Sequence, residues 1–83
     1  MYKELESAKN RLVGTKQVLK ALNADEIAVL YIANDADVSI KEKILAAAGS
    51  QDVRVIYADT MQVLGECCGI DVLAACAAIK REP

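Results

Sequence analysis

Three short apolar runs, separated by segments with helical spacing, constrain the fold of this chain most strongly. Ile27–Ala33 and Val72–Ile79 are nearly continuous, whereas in Val53–Ala58 the residues Val53, Val55 and Tyr57 alternate against Arg54. A short apolar run bounded by turn residues is typical of a strand that is covered on both faces. Helices that alternate with such strands imply a central sheet packed between helical layers. We therefore predict an α/β fold, a three-layer α/β/α sandwich with a small central mixed sheet.

Helices are predicted before and between these strands, which gives the order α-α-β-α-β-α-β. In the first helix, Leu5, Ala8 and Leu12 recur at helical spacing. In the second, Thr15 is a suitable N-cap residue. The predicted helices begin at Tyr2, Thr15, Ser39 and either Asp59 or Thr60, and they end at Leu12, about Asn23, Gly49 and Gly69, in that order.

Length and composition predict one small soluble domain. The chain has 83 residues, of which 54% are hydrophobic, and this suffices for one core. The longest apolar run is far shorter than the roughly 18 residues that a membrane-spanning helix needs. Charged residues such as Lys3, Glu6 and Arg11 interrupt the first segment, which argues against a signal peptide. We expect residues 1–83 to form a single cytoplasmic domain with no membrane contact.

The absence of histidine excludes several kinds of chemistry. No Ser-His or Cys-His nucleophile and no imidazole metal ligand can come from this chain. The three cysteines, Cys67, Cys68 and Cys76, are odd in number and lack the C-x-x-C spacing of zinc and redox sites. Free cysteines usually behave as small buried hydrophobes. We therefore predict no catalytic residue, no metal site and no cofactor.

Charge is distributed unevenly along the chain. The formal net charge is −2, but residues 1–23 hold five basic and two acidic residues, whereas residues 24–83 hold five basic and ten acidic residues. A positive first quarter on an acidic body suits an anionic partner that docks at one place. Solvated helix faces would explain the same asymmetry, and charge alone does not separate these two interpretations.

The first candidate site lies where the second helix begins. Gly14 allows a partner to approach the backbone closely, and the free N–H groups of the helix start attract anions. Lys16 and Lys20 are four residues apart and Gln17 lies beside them, so all three share one outer patch. These side chains supply donors for phosphates or base edges. A glycine before a capped helix is also an ordinary turn.

The second candidate site follows the fourth helix. After Gly69 the chain must turn through Ile70, Asp71 and Val72 before the last strand. Two branched apolar residues in a loop are able to cover a splayed base, and the carboxylate of Asp71 is able to accept from an exocyclic amine. The alternative is that Ile70 simply packs beneath the loop.

Taken together, these segments resemble the ribosomal L7Ae/L30e family of kink-turn-binding proteins, and most closely its short bacterial branch. The resemblance rests on Gly14–Lys20, on Ala33–Asp37 after the first predicted strand, and on Leu64–Val72, which is the most specific piece. It spans nearly the whole chain in the right order. It implies an α/β/α sandwich that binds, without catalysis, RNA containing a kink-turn, a sharp bend flanked by sheared G·A pairs.

The resemblance also implies roles for individual residues. The segment Gly14, Thr15, Lys16, Gln17 and Lys20 matches the part of the family that contacts the guanines of the sheared pairs. The loop Ile70, Asp71 and Val72 matches the part that covers the extruded nucleotide. The chain departs from the archaeal pattern at Lys16-Gln17, where Asn-Glu is usual, at Glu66, where Lys is usual, and at Val38, where Pro is usual. The expected partner is thus a kink-turn RNA, ribosomal or riboswitch in origin, bound by a monomer.

Two alternatives come from other functional classes. Asp35, Asp37 and Asp59 follow predicted strands, where carboxylates in a receiver-like domain hold Mg²⁺ or accept a phosphoryl group. Capping of the next helix would explain Asp37 and Asp59 equally well. The other alternative is a protein-interaction module without RNA, in which the alanine-rich last strand and the adjacent cysteines lie at an interface.

Overall fold

The computed structural model describes residues 2–49 and 51–82 as a mixed sheet with helices on both sides. The strand order is β1-β4-β2-β3, with β2 parallel to β3 and the other pairs antiparallel. The predicted α/β sandwich with a small mixed sheet is confirmed. The elements are α1 (Lys3–Ser7), β1 (Arg11–Val13), α2 (Thr15–Asn23), β2 (Ile27–Ala33), α3 (Val38–Ala48), β3 (Arg54–Ala58), α4 (Met61–Cys67) and β4 (Cys76–Lys80).

Two apolar clusters hold the three layers together. On one face of the sheet, Leu5 of α1 and Leu64 of α4 pack with Tyr31 of β2. On the other face, Ile44 of α3 packs with Leu30 of the same strand. Because successive strand residues point to opposite faces, β2 contributes to both clusters. The sheet is therefore covered on both sides, with α1 and α4 in one layer and α2 and α3 in the other.

The first helix is shorter than predicted, and a strand follows it. The interpretation of Tyr2–Leu12 as one helix is wrong, because α1 ends at Ser7 and residues 11–13 form β1. This strand pairs antiparallel with β4, so that Arg11 lies opposite Ile79. Leu5 and Leu12 pack on opposite faces of the sheet, although their spacing suggested a single helical face. The observed order, α-β-α-β-α-β-α-β, has one more strand than predicted.

The last strand begins later than predicted. The prediction placed Val72 at its start, but β4 begins at Cys76. The residues before it run along α4 instead, where the Ala74 N–H donates to the Met61 carbonyl at 3.1 Å. From Cys76 to Ile79 every residue is buried, as expected for a strand covered on both faces.

Other boundaries agree closely with the sequence. The bounds of β2, Ile27–Ala33, are those predicted, and Gly49 is the C-cap residue of α3. Thr60 caps α4 by accepting from the Val63 N–H at 3.0 Å. Among the described residues, no helix is long and apolar enough to cross a membrane.

Candidate nucleic-acid interface

The start of α2 presents backbone donors without a capping side chain. Gly14, rather than the predicted Thr15, is the N-cap residue, with φ 98° and no side-chain capping bond. Glycine adopts this conformation without the cost that a side chain would impose. Its N–H donates to the carbonyl of Cys76 at 3.0 Å, which ties the helix start to β4. The first turn of an α-helix has N–H groups without intrahelical partners and carries partial positive charge, so this end suits an anion.

The predicted polar residues of α2 share its solvent face. Lys16, Gln17 and Lys20 are exposed, while Val18 and Leu22 are buried against the sheet. This division follows from the helical period, because residues three or four apart lie on the same side.

A groove beside α2 adds a basic residue that the sequence reasoning missed. It has a volume of about 290 Å³, and Gln17, Lys20, Glu26 and Lys80 contribute to its lining. The Lys80 ammonium lies 3.9 Å from a carboxylate oxygen of Glu26. Lys80 comes from the far end of the chain, and the pairing of β4 with β1 and β2 brings it here, opposite Ile27, so no local signal in the sequence could have identified it.

The end of α4 is closed by a Schellman motif. The Gly69 N–H donates to the Glu66 carbonyl at 3.0 Å, and the Ile70 N–H donates to the Gly65 carbonyl at 3.1 Å. Gly69 has φ 73°, the left-handed conformation that this motif requires. The chain therefore reverses direction at a defined point, before the residues predicted to contact a base.

Residues 70–74, here called the apolar loop, fold back over α4. A Cβ placed on Gly65 would lie 2.2 Å from the Val72 carbonyl oxygen, so the loop passes this position in van der Waals contact. Ile70 is half-buried against the core, as the simpler interpretation of this residue expected. Val72 and Leu73, in contrast, are 68% and 62% exposed. The predicted strand Val72–Ile79 includes Leu73, but the structure exposes this side chain beside Val72, where it enlarges the apolar surface of the loop.

A cleft separates the apolar loop from the outer face of α4. Its volume is about 570 Å³, and it is lined by Gln62, Glu66, Asp71, Val72 and Leu73. Apolar walls with carboxylate and amide acceptors suit a flat group that carries amines, such as a nucleobase. The two carboxylates disfavour a phosphate at the same place.

The start of α2 and the apolar loop are connected through Cys76, the first residue of β4. Cys76 follows Val72 by four residues, and a chain of that length spans at most about 14 Å. The carbonyl of Cys76 accepts from Gly14, and the Cys76 sulfur lies 4.0 Å from the Thr15 hydroxyl. The start of α2 is therefore held against the first residue of the strand that follows the apolar loop.

Two of the three aspartates of the receiver-like alternative accept hydrogen bonds at helix starts, whereas α4 is capped by Thr60 and not by Asp59. Asp35 accepts from the Met61 N–H at 2.8 Å, at the first residue of α4. Asp37 accepts from the Ser39 N–H at 2.8 Å and from its hydroxyl at 2.6 Å, and these bonds lower the pKa of the Asp37 carboxyl. Within residues 2–49 and 51–82, no group of three or more His, Cys, Asp or Glu residues is placed to hold a metal ion. Helix capping accounts for Asp35 and Asp37.

The cysteines differ in burial, and this predicts which one reacts. Cys68 and Cys76 are buried, whereas Cys67 is half-buried. Burial raises the pKa of the Cys76 thiol to about 11 and also raises that of Cys68. Because the thiolate is the reactive form, we expect N-ethylmaleimide at pH 8 to modify Cys67 first and the other two only after unfolding. Mass spectrometry of peptides from the labelled native protein checks this order; equal rates at Cys67 and Cys76 would contradict it.

Comparison with known proteins gives one consistent result. The model of the family described as "Ribosomal protein L7Ae/L30e/S12e/Gadd45 family" matches residues 1–83. A protein of Halalkalibacterium halodurans named RNA-binding protein is 41% identical over 80 residues, covering 96% of this chain and 98% of its own length. One of the same name from Caldanaerobacter subterraneus is 47% identical over 68 residues, covering 82% and 83%. The solved structure of the Giardia lamblia 15.5kD RNA binding protein superposes with a TM-score of 0.82 at 25% identity, covering 96% of this chain and 68% of that one.

Proposed function

Because this chain belongs to the ribosomal protein L7Ae/L30e/S12e/Gadd45 family, we propose that residues 1–83 act as one non-catalytic domain that binds kink-turn RNA. The names of its relatives support RNA as the ligand. The resemblance of Gly14–Lys20 and Leu64–Val72 to the family's RNA-contacting segments supports the kink-turn as the motif. The protein works as a monomer in the cytoplasm, on ribosomal RNA or on another RNA with the same bend.

One observation favours bent RNA over a regular duplex. The hydrogen bond from the Gly14 N–H to the Cys76 carbonyl holds the positively charged helix start against β4, the strand that follows the apolar loop. A regular A-form duplex hides its base edges in a deep, narrow groove and keeps its bases stacked. A kink widens the groove and extrudes a nucleotide. The start of α2 then contacts base edges in the widened groove, and the apolar loop contacts the extruded nucleotide.

The proposal divides the work between the two segments. The start of α2 contacts base edges and phosphates of the sheared pairs, because it supplies backbone donors, an amide and two ammonium groups. The residues concerned are Gly14, Thr15, Lys16, Gln17 and Lys20. Ile70 supports the loop from below, while Val72 lies over the extruded base and Asp71 accepts from a base amine. Leu73 enlarges the apolar surface beside Val72. Glu66 lines the same cleft and keeps phosphates away from it.

A charge placed on the apolar loop tests this division. We expect Val72→Asp to weaken binding to a kink-turn RNA by roughly 1.5–3 kcal/mol, because the apolar side chain that the extruded base would cover is lost. The salt dependence of binding should change little, since Val72 makes no ion pair with a phosphate. Titration of a fluorescent kink-turn RNA at several salt concentrations measures both quantities.

The control is Ala46→Asp, which adds the same charge at an exposed position of α3, on the opposite side of the sheet. It should bind like the parent protein. If Val72→Asp weakens binding to an unbent duplex by the same factor as binding to the kink-turn, the loop does not recognise the bend. If the parent itself does not prefer the kink-turn RNA, the proposed function is wrong.

A further inference from the structure

Arg11 connects the ends of two helices through backbone carbonyls. Its Nη1 donates to the Glu6 carbonyl at 2.8 Å and to the Leu5 carbonyl at 3.4 Å, in the last turn of α1. Its Nη2 donates to the carbonyl of Cys68, the C-cap residue of α4, at 3.0 Å. One side chain thus reaches the C-terminal ends of both helices in this layer.

The electrostatics of these contacts are favourable. Carbonyl groups at the C-terminus of a helix lack intrahelical partners and carry partial negative charge, so a cation is stabilised there. The planar fork of a guanidinium satisfies several such oxygens at once, which a lysine ammonium does not do with the same geometry. Nη2 also lies only 3.7 Å from the place where a Cβ on Gly69 would be. The guanidinium therefore lies against the turn that starts the apolar loop.

The position of Arg11 in the chain connects the turn after α4 to the start of α2. Arg11 is the first residue of β1, and Gly14 follows the last one. Gly14 is the N-cap of α2 and is held to β4 through Cys76. The strand β1 thus begins with Arg11, which binds the turn after α4, and it is followed directly by Gly14, the N-cap residue of α2.

We propose that Arg11 is a positioning residue that fixes the turn at Gly69 and the apolar loop relative to the start of α2. This inference rests on the proposed function, in which those two segments bind the RNA together. Arg11 acts through the backbone of α4, and its donors are directed at the Glu6, Leu5 and Cys68 carbonyls rather than at a phosphate.

The free protein provides the first test. In Arg11→Met, a side chain of similar length without the fork, we expect amide hydrogen exchange to accelerate at Gly69 and Ile70, whose N–H groups form the Schellman motif. Exchange at the core residue Leu30 should stay as in the parent. Arg11→Lys should restore protection only in part. Unchanged exchange at Gly69 and Ile70, or acceleration spread equally to Leu30, would overturn the inference.

RNA binding provides the second test. We expect Arg11→Met to reduce the preference for kink-turn RNA over an unbent duplex about tenfold, because the loop must then be ordered during binding. The slope of log affinity against log salt should stay unchanged, whereas loss of a direct phosphate contact would lower it by about 0.7–0.9. Arg54→Met is the matched control, since Arg54 is an exposed arginine of β3 paired with Glu4.

The outcomes separate this inference from the proposed function. A parent protein that prefers the kink-turn, with an Arg11→Met variant that keeps the preference, overturns the role of Arg11 alone. A reduced salt slope in that variant overturns it as well, because Arg11 would then contact phosphate. A parent protein without any preference for bent RNA removes the proposed function and this inference together. Reduced preference with an unchanged slope, and with an Arg54→Met control that binds like the parent, supports the positioning role.

Discussion

Replacement of Gly65 by alanine should displace the apolar loop and weaken RNA binding. The new Cβ would lie 2.2 Å from the Val72 carbonyl oxygen, and contacts below 3.0 Å require that something moves. The obstacle is backbone, which cannot rotate away as a flexible side chain can. Overpacking of this kind costs roughly 1–3 kcal/mol, and the better helix propensity of alanine offsets about 1 kcal/mol of that.

Two measurements separate displacement of the loop from loss of stability. Urea unfolding should show a lower free energy of unfolding for Gly65→Ala, and titration with a kink-turn RNA should show an affinity about tenfold lower, or about 1.4 kcal/mol. The control is Ile44→Val, which removes one methyl group from the buried core on the other face of the sheet and costs roughly 0.5–1.5 kcal/mol. Ile44→Val should bind RNA like the parent. Equal RNA affinities for both variants would mean that the position of the loop does not matter.

The elements best predicted from sequence are those whose own residues decide them. The bounds of β2 were predicted because Ile27–Ala33 is apolar throughout, and such a run is satisfied only by burial on both faces. The end of α3 at Gly49 and the cap of α4 at Thr60 follow from local backbone chemistry. In each case the residues that determine the boundary lie within a few positions of it in the sequence.

The elements predicted wrongly depend on distant partners. Residues 11–13 form a strand because β4 offers a free edge, and Arg11 pairs there with Ile79 from the far end of the chain. Val72 and Leu73 have the composition of a strand, but the missing side chain of Gly65 lets them lie along α4 instead. Short segments follow tertiary contacts more readily than their own propensity.

The same distinction applies to the candidate interface. Lys16, Gln17 and Lys20 were placed on one exposed face by helical spacing alone, and the structure exposes all three. Leu73, Lys80 and Arg11 were not proposed, because their positions depend on the path of the loop, the strand pairing and contacts with the carbonyls of other helices.

Removal of both lysines from α2 should produce the largest loss of RNA binding that leaves the fold intact. Lys16 and Lys20 are exposed, so Lys16→Ala together with Lys20→Ala leaves no cavity and no unpaired buried group. Alanine also has a slightly better helix propensity than lysine, and the thermal unfolding midpoint should hardly move. Each lost contact with a base edge is worth roughly 1–3 kcal/mol, which corresponds to about 5- to 150-fold in affinity.

The salt dependence then tells which kind of contact each lysine makes. Removal of a lysine that binds a phosphate reduces the magnitude of the slope of log affinity against log salt by about 0.7–0.9. Such a removal weakens binding to straight and bent RNA alike. A lysine bound to a base edge instead reduces the preference for the kink-turn. The control variant replaces the exposed Lys3 and Lys43, which removes the same charge from α1 and α3. If this control loses as much affinity as the α2 variant, the protein binds RNA through its overall charge, and the start of α2 is not the contact surface.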